Sequence, residues 1–200
     1  MKKLLLTAGG SGSGKSWFCE RLRAAMPRLA VLPTDDYYFD RADLSREELL
    51  TYNFDQPSAI DFASLTRDVK ILLSGGSVPR RSYDFSRHHA VIGGVREPDF
   101  DVLAVEGLFA LTDADLRGLA AFKVFVDAPD ELRFARRLKR DTAERGRNPE
   151  DIRRQYDAQV RPMYEKYIAP SAEFADLVVA NAGECDLAAA VETVRRYLAD

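Results

Sequence analysis

The chain has 200 residues, of which 46% are hydrophobic, a composition typical of a globular protein with a buried core. Its 29 lysines and arginines stand against 32 aspartates and glutamates, which leaves a net charge of -3. This balance argues against a general attraction to nucleic acid or anionic membranes, so that any anion-binding site has to be local. The length favours a single domain over residues 1–200.

The N-terminal apolar segment does not have the pattern of a signal peptide or a membrane anchor. It ends at Ala8, where glycines follow in place of a cleavage site. No stretch approaches the ~20 apolar residues that span a bilayer, and we expect a soluble, cytoplasmic protein. Cys19 and Cys185 lie far apart without metal-type spacing, and we expect both to be small buried hydrophobic residues.

Hydrophobic periodicity predicts strands that alternate with helices. In chain order, we expect a strand at residues 3–8, a helix from about residue 15, a strand at 29–33, a helix at 61–74, strands at 102–105 and 122–126, helices at 129–142 and 149–167, a strand at 177–180 and a helix at 187–198. The first helix should turn Trp17, Phe18, Leu22 and Met26 inward. This alternation predicts an α/β fold with a mostly parallel sheet between two layers of helices.

Three polar features follow the predicted ends of strands, where ligands bind in parallel sheets. They are the glycine-rich loop after the first strand, the pair Asp35–Asp36 after the second, and Glu106 after the third. Residues 38–60 and about 77–100 lack clear periodicity. We predict that these two segments are insertions over the sheet that bind the acceptor substrate.

The loop after the first strand matches the phosphate-binding pattern G-x-x-x-x-G-K-S in full. It consists of Gly9, Gly10, Ser11, Gly12, Ser13, Gly14, Lys15 and Ser16. Because it follows a predicted strand and opens a predicted helix, it predicts a nucleoside triphosphate site rather than a flexible turn. Lys15 is expected to reach the outer phosphates, and the Ser16 hydroxyl is expected to bind Mg²⁺.

Two acids are candidates for the chemistry beside this loop. Glu106 either binds Mg²⁺ or marks the exit of its strand to solvent, and the glycine after it favours the metal. Asp35 either deprotonates an attacking hydroxyl, with a further contact to Mg²⁺, or caps a turn. Spacing alone leaves both interpretations of Asp35 open.

A run of arginines extends from Arg133 to Arg147. It is either a solvated basic face or a lid, over about residues 133–155, that closes on the triphosphate and supplies positive charge to the transition state. A nucleic-acid patch is the weaker alternative, because the chain is acidic overall.

Read together, these motifs resemble the uridine kinases (uridine–cytidine kinases) of the uridine kinase and phosphoribulokinase superfamily. The resemblance runs from Gly9 to about Asp176 and rests on "GGSGSGKS", "TDDYY", "NFDQPSAIDF", "YDFSRH", "VEGLF", "FVDAPDELRFARRLKRDTAERGR", "QYDAQVRPMYEKYIAP" and "AD" in this order. It implies a P-loop NTPase fold, a three-layer α/β/α sandwich with a helical lid. It also implies ATP, or alternatively GTP, as donor, Mg²⁺ as metal, a nucleoside acceptor and a homo-oligomer, often a tetramer.

The resemblance also implies roles for single residues. Asp35 matches the catalytic base, and Ser16 and Glu106 match the ligands of Mg²⁺. Asp55 matches the acid that binds the ribose hydroxyls. Tyr38 matches an aromatic residue near the acceptor. The pyrimidine pocket is matched by Tyr83, Phe85 and His88, further nucleoside contacts by Arg137, Arg147 and Gln155, and the lid arginines on the phosphates by Arg140 and Arg145.

Three departures from the family's pattern concern specificity. His89 and Ala90 change the rim of the base pocket, and Asp36 is an acid that can raise the pKa of Asp35 or face water. The segment "VVANAGECD" lacks a turn found near the donor base in relatives, so that ATP and GTP both stay open.

The alternatives differ in acceptor or in class. The same fold could act on nicotinamide riboside or on a sugar phosphate. A GTPase switch, a nucleic-acid-dependent ATPase and a binding protein without catalysis are alternatives of other classes. Our main hypothesis is Mg²⁺-dependent transfer of the γ-phosphate of ATP to the 5′-hydroxyl of uridine or cytidine, in which His88 reads the pyrimidine and His89 is a polar rim residue.

Overall fold

The computed structural model describes residues 1–182 and 187–199. Its strands and α-helices, in chain order, are β1 (Lys3–Ala8), α1 (Lys15–Ala25), β2 (Leu29–Pro33), α2 (Arg46–Thr51), α3 (Phe62–Leu73), β3 (Val78–Asp84), β4 (His89–Arg96), β5 (Val102–Glu106), α4 (Ala114–Leu119), β6 (Phe122–Asp127), α5 (Asp130–Arg145), α6 (Pro149–Gln155), α7 (Arg161–Met163), β7 (Leu177–Ala180) and α8 (Leu187–Ala199). None of the helices in these two ranges has the length and apolar character of a membrane span.

Five parallel strands form the central sheet, in the order β2-β5-β1-β6-β7. β1 lies in the middle of the sheet, and its leucines are buried on both faces, as central parallel strands require. Thr7 and Pro33 both pair with Glu106, so the carboxyl ends of β1, β2 and β5 meet at one edge. This edge therefore gathers the three polar features that the sequence places after strands.

Helices cover both faces of the sheet. On one face, Leu65 and Leu72 of α3 pack into the larger core cluster, and on the other, Phe18 of α1 packs with Val194 of α8. These helices form because apolar residues recur at helical spacing along one side of each. The predicted α/β fold, with helices on both faces of a mostly parallel sheet, is confirmed.

The helical elements depart from the prediction in three respects. α2 and α4 lie in segments where hydrophobic periodicity predicts no helix. Trp17 does not point inward: it is 46% exposed, because the buried side of α1 runs through Phe18 and Leu22. Residues 149–167 are not one regular helix, since π-helical turns at Tyr156–Val160 and Tyr164–Ile168 flank the short α7.

Residues 77–100 contain an antiparallel hairpin that the sequence pattern did not predict. Its strands β3 and β4 pair with a register shift between Pro79 and Arg81, and Tyr83 lies opposite Ala90 and Asp84 opposite His89. The alternation that marks a half-buried strand is missing, because β4 is exposed along most of its length. The tip of the hairpin carries Phe85 and His88 to the carboxyl edge of the central sheet.

Candidate active site

A cavity of about 1300 Å³ opens at the carboxyl edge of the sheet. Among the predicted site residues, its lining includes Ser11, Gly12, Gly14, Lys15, Ser16, Asp35, Tyr38, Asp55, Phe85, His88, Glu106, Arg137, Arg140, Arg145, Arg147 and Gln155. Four other predicted residues lie buried behind the wall, namely Gly9, Gly10, Ser13 and Tyr83. The fold thus gathers side chains from distant segments of the chain around one space.

The glycine-rich loop joins β1 to α1 at the floor of this cavity. Gly14 precedes the first turn of α1 with φ at 99°, a left-handed conformation that favours glycine. A Cβ atom on Gly14 would lie 2.2 Å from the Asn181 amide nitrogen, which donates to the Ser13 carbonyl at 2.8 Å. The Asn181 side chain thus holds the loop in place. The N-terminus of α1 offers its partial positive charge to a phosphate.

Lys15 and Ser16 begin α1 at the cavity surface. The Lys15 side chain is buried, and its Nζ donates to the Gly10 carbonyl at 3.0 Å. The Ser16 hydroxyl donates to Glu106 Oε1 at 3.3 Å. A hydroxyl oxygen and a carboxylate oxygen therefore lie side by side at the outer end of the loop.

Close backbone packing brings the segment of Asp35 to the end of β5. A Cβ atom on Gly107 would lie 1.7 Å from Thr34 Oγ1, so only glycine permits this approach. Thr34 directly precedes Asp35, and Glu106 directly precedes Gly107. The Glu106 carboxylate is consequently near enough to affect the pKa of Asp35.

The electrostatics of Asp35 differ from those of a surface carboxylate. Burial raises its pKa to about 6, the Glu106 carboxylate raises it as well, and Lys15 acts in the opposite direction. Burial lowers the pKa of Lys15, while Glu106 and Asp35 oppose that shift. A carboxyl group with a pKa near 6 is well suited to accept a proton at neutral pH.

Asp36 has a different environment from Asp35. Its carboxylate lies 3.8 Å from Arg96 Nη2, and burial raises its pKa to about 6. Asp36 does raise the pKa of Asp35, but this repulsion ranks below the effects of burial and of Glu106. The sequence left open whether Asp36 raises the pKa of Asp35 or faces water. In the structure the repulsion is present, and Asp36 is paired with Arg96 rather than simply solvated.

Four arginines converge on a carboxylate that the sequence did not single out. Asp141 is fully buried, and Arg140 contacts its Oδ1 through Nε at 2.9 Å and Nη2 at 2.8 Å. Arg137, Arg145 and Arg147 each place a guanidinium nitrogen 3.5–3.6 Å from the same carboxylate. These residues are therefore not a simple solvated basic face.

Arg133 and Arg136 act on the phosphate loop rather than on Asp141. Arg133 is buried, and a Cβ atom on Gly12 would lie 2.3 Å from the Arg133 carbonyl oxygen. Arg136 donates to the Gly12 carbonyl and to Asn181 Oδ1, both at 3.3 Å. The "VVANAGECD" segment begins beside this contact, but its residues 183–186, including Cys185, lie outside the described residues.

Arg137 connects the phosphate loop with the acid of the acceptor side. It donates to Ser11 Oγ at 3.1 Å and lies 3.7 Å from Asp55, whose carboxylate is buried. Both Arg137 and Arg147 donate to Gln155 Oε1, at 3.3 and 2.9 Å. Burial raises the pKa of Asp55, and the positive charge of Arg137 opposes this shift.

Aromatic side chains form one wall of the cavity, where the Arg145 guanidinium lies 5.4 Å from the centre of the Phe85 ring. The Phe54 ring stacks on the His88 imidazole with a centroid distance of 4.5 Å and an interplanar angle of 18°. Tyr38 meets Phe85 edge to face at 5.9 Å, and Tyr83 packs behind them, 5.3 Å from Tyr38. Sequence reasoning missed Phe54, although it directly precedes Asp55 in "NFDQP".

The two neighbouring histidines have different environments. His88 has a φ of 53°, rare for a residue other than glycine, and its Nδ1 is buried without a hydrogen-bond partner among the described residues. Burial lowers the pKa of His88, while Asp84 opposes the shift, so the imidazole is neutral at pH 7. His89 Nδ1 lies 2.7 Å from Asp40 Oδ2 at the exposed rim.

Comparison with known proteins places this site in a family. Residues 5–188 match the sequence signature of the Phosphoribulokinase / Uridine kinase family. The chain is 40% identical over 173 residues to a uridine kinase of Streptococcus pyogenes, with 86% of this chain and 83% of the relative covered. It is 36% identical over 184 residues to a uridine kinase of Lactobacillus johnsonii, with 90% and 87% covered. The chain belongs to the phosphoribulokinase/uridine kinase family.

A solved structure shows the same fold within this family. The phosphoribulokinase from Rhodobacter spheroides superposes with a TM-score of 0.65 and 21% identity, over 93% of this chain and 72% of that chain. The resemblance to a P-loop kinase and the expectation of an enzyme are confirmed by these matches. Family membership also favours a kinase over the GTPase switch, the nucleic-acid-dependent ATPase and the inactive binding protein.

The kinases of this family use a nucleotide as phosphate donor together with Mg²⁺, and the residues at the loop fit this metal. Ser16 and Glu106 present adjacent oxygens, which are the ligands that Mg²⁺ prefers. No group of three or more acids, histidines or cysteines forms a metal cage within residues 1–182 and 187–199. This is the expected pattern, since Mg²⁺ usually keeps waters and binds few protein oxygens beside substrate phosphates.

Proposed function

We propose that the protein transfers the γ-phosphate of ATP to the 5′-hydroxyl of uridine or cytidine. The observation that carries this proposal is one cavity whose lining combines the phosphate loop, Asp35, a second acid, Asp55, and aromatic side chains. The name of the curated relatives, uridine kinase, agrees with this acceptor.

In the proposed reaction, the 5′-oxygen of the nucleoside bonds to the γ-phosphorus while Asp35 accepts the proton of the 5′-hydroxyl. The bond from that phosphorus to the β–γ bridging oxygen breaks, ADP leaves, and Asp35 later releases the proton to water. Lys15, Arg140 and Arg145 stabilise the negative charge of the transferring group. Ser16 and Glu106, with a further contact from Asp35, would hold Mg²⁺, which would neutralise charge on the phosphates.

The acceptor is held on the other side of the cavity. Asp55 accepts hydrogen bonds from both ribose hydroxyls, since one carboxylate has enough lone pairs for two donors. Phe54, Phe85 and His88 offer ring faces and edges to the pyrimidine. The resemblance assigns further contacts on the acceptor side to Tyr38, Tyr83, Arg137, Arg147 and Gln155. Tyr83 does not line the cavity, and it packs against the Tyr38 and Phe85 rings that do.

A sugar phosphate fits this cavity less well than a riboside. The phosphate group of a sugar phosphate needs a cationic pocket on the acceptor side, whereas the hairpin tip supplies aromatic rings there. Nicotinamide riboside shares the ribose and an aromatic base, and it is distinguished from the pyrimidines only by assay.

An acceptor panel tests the proposal directly. ADP release is measured with uridine, cytidine, nicotinamide riboside, a sugar phosphate and no acceptor, with ATP and separately with GTP, in the presence of Mg²⁺. We expect kcat/KM for a pyrimidine riboside with ATP to exceed every other pair by at least about tenfold, a usual scale for one recognised hydrogen-bonding group. A higher value for another acceptor would replace the proposed substrate.

The His88→Tyr variant is expected to change the ratio of kcat/KM for uridine to that for cytidine. Neutral imidazole offers one donor and one acceptor, so it can meet uracil O4 in one orientation and the cytosine amino group in another. A phenol lacks that exchange at the same position. The His89→Tyr variant is the matched control and should leave the ratio unchanged, because His89 faces Asp40 at the rim. An unchanged ratio in His88→Tyr would remove His88 from base recognition.

On the strength of the family resemblance alone, we further propose a single kinase domain over residues 1–200, with inserted acceptor segments and a lid over about 133–155. The same resemblance suggests a homo-oligomer, often a tetramer in relatives, that works in the cytoplasm.

A further inference from the structure

We propose that Asp141 is a positioning residue that sets the spacing between the arginines directed at the phosphates and those directed at the nucleoside. The inference rests on the proposed function, because it concerns the same arginines. Asp141 itself is fully buried beneath them and does not line the cavity. It acts through the guanidinium groups that surround it.

The two oxygens of Asp141 divide the arginines into two pairs. Arg140 and Arg145, which the resemblance directs to the phosphates, lie at Oδ1, with nitrogen–oxygen distances of 2.8 and 3.6 Å. Arg137 and Arg147, directed to the nucleoside, lie at Oδ2, 3.5 and 3.6 Å away. One carboxylate therefore fixes the separation of the two groups of cations.

The contacts on the two oxygens differ in kind. Arg140 binds Oδ1 through two nitrogens at hydrogen-bond distance, whereas Oδ2 has no hydrogen bond among the described residues. The attraction of Oδ2 for Arg137 and Arg147 is thus mainly electrostatic, and it holds them without saturating their donors. Their N–H groups can still bind other partners, as both do with Gln155.

The backbone of Asp141 also builds the turn that returns Arg147 to the site. α5 ends at Gly146, which has a φ of 61°, and both Gly146 and Arg147 donate their N–H groups to the Asp141 carbonyl. The same residue therefore ends the helix and collects the side chains on either side of its end. Only the side chain carries charge, so its role can be separated from that of the backbone by substitution.

The charge of Asp141 is essential to this arrangement. Burial of Arg137 next to three other guanidinium groups is unfavourable unless a negative charge compensates it, and removing the partner of a buried ion leaves that ion uncompensated. Without the carboxylate, the arginines would repel one another and point along different directions. Displacement of transition-state contacts by about 1 Å can cost ~100-fold in rate.

The test compares Asp141→Asn, Asp141→Glu and the parent enzyme in kcat, in KM for each substrate and in inhibition by inorganic pyrophosphate. Asparagine keeps the shape and removes the charge, so we expect kcat to fall at least ~10-fold while KM for ATP changes less than ~3-fold. Pyrophosphate should inhibit this variant at lower concentration, because the released arginines bind anions. Glutamate restores the charge and should recover part of the lost kcat.

The Glu131→Gln variant is the matched control, since it removes one acidic charge from the same helix at an exposed side chain that does not line the cavity. We expect its kcat to stay within ~2-fold of the parent, and an equal loss in Glu131→Gln and Asp141→Asn would overturn the proposal. So would a parent-like kcat in Asp141→Asn, or losses of kcat that merely follow a lowered melting temperature. If Asp141→Asn does not fold, a parent-like kcat and pyrophosphate inhibition in Asp141→Glu would overturn the proposal. All comparisons use the acceptor found best for the parent enzyme, so a wrong acceptor assignment would show in the panel and not here.

Discussion

The Asp35→Asn variant is expected to lose at least ~100-fold in kcat, the usual scale for removing a general base, while its affinity for the nucleoside is retained. Asparagine cannot accept the proton of the 5′-hydroxyl, yet it keeps the size of the side chain between Lys15 and Glu106. Steady-state ADP release measures kcat, and calorimetric titration with nucleoside measures affinity. A near-parent rate would show that Asp35 is not the base.

The pH profile of the parent enzyme gives this assignment a second readout. Because burial and Glu106 raise the pKa of Asp35 to about 6, the carboxyl is protonated and inactive below that pH and ionised above it. We expect kcat/KM to rise with pH through about 6, and this limb should be absent in Asp35→Asn. The Asp36→Asn variant is the matched control: it should keep kcat and shift the limb slightly to lower pH, since one repulsive charge is removed.

The Asp55→Ala variant is expected to raise KM for the riboside by ~10–100-fold, the range for losing hydrogen bonds to a charged group. The effect on kcat should be smaller, because Asp55 binds the ribose and not the reacting oxygen. Parallel kinetics with uridine and 2′-deoxyuridine measure the contact, since the deoxynucleoside lacks one of the two hydroxyls.

The deoxynucleoside also serves as the internal control for Asp55→Ala. Loss of Asp55 leaves Arg137 without one of its buried partners and disturbs both substrates equally. Only the difference between the two substrates reports the ribose contact, and we expect the deoxynucleoside to lose less. Equal losses would contradict that contact.

The phosphate loop and the α/β order could be predicted because both depend on neighbours in the chain. The glycine positions of the loop, the apolar strand before it and the helix after it are local features. Motif spacing indicates the loop, and hydrophobic periodicity indicates the strand and the helix. The mixed course of residues 149–167 and the outward position of Trp17 could not be predicted in this way. They depend on which side of each helix the rest of the protein covers.

The aromatic wall is an intermediate case. Family resemblance directs attention to Phe85 and His88, but the stacking of His88 on Phe54 joins the hairpin tip to a distant loop. Such a contact follows from the pairing of β3 with β4 and from the packing of Tyr83 behind the wall. Neither leaves a periodic signal, because β4 is exposed on most of its length.

By itself, the sequence determined the donor loop, the order of strands and helices and the acids that follow them, since each is set by spacing along the chain. Only the tertiary structure decided how the charges are shared. The arginine run alone leaves a solvated face and a lid as alternatives, whereas in the fold α5 and the turn at Gly146 bring four guanidinium groups around Asp141. A buried charge requires partners in three dimensions, and residues far apart in the sequence supply them.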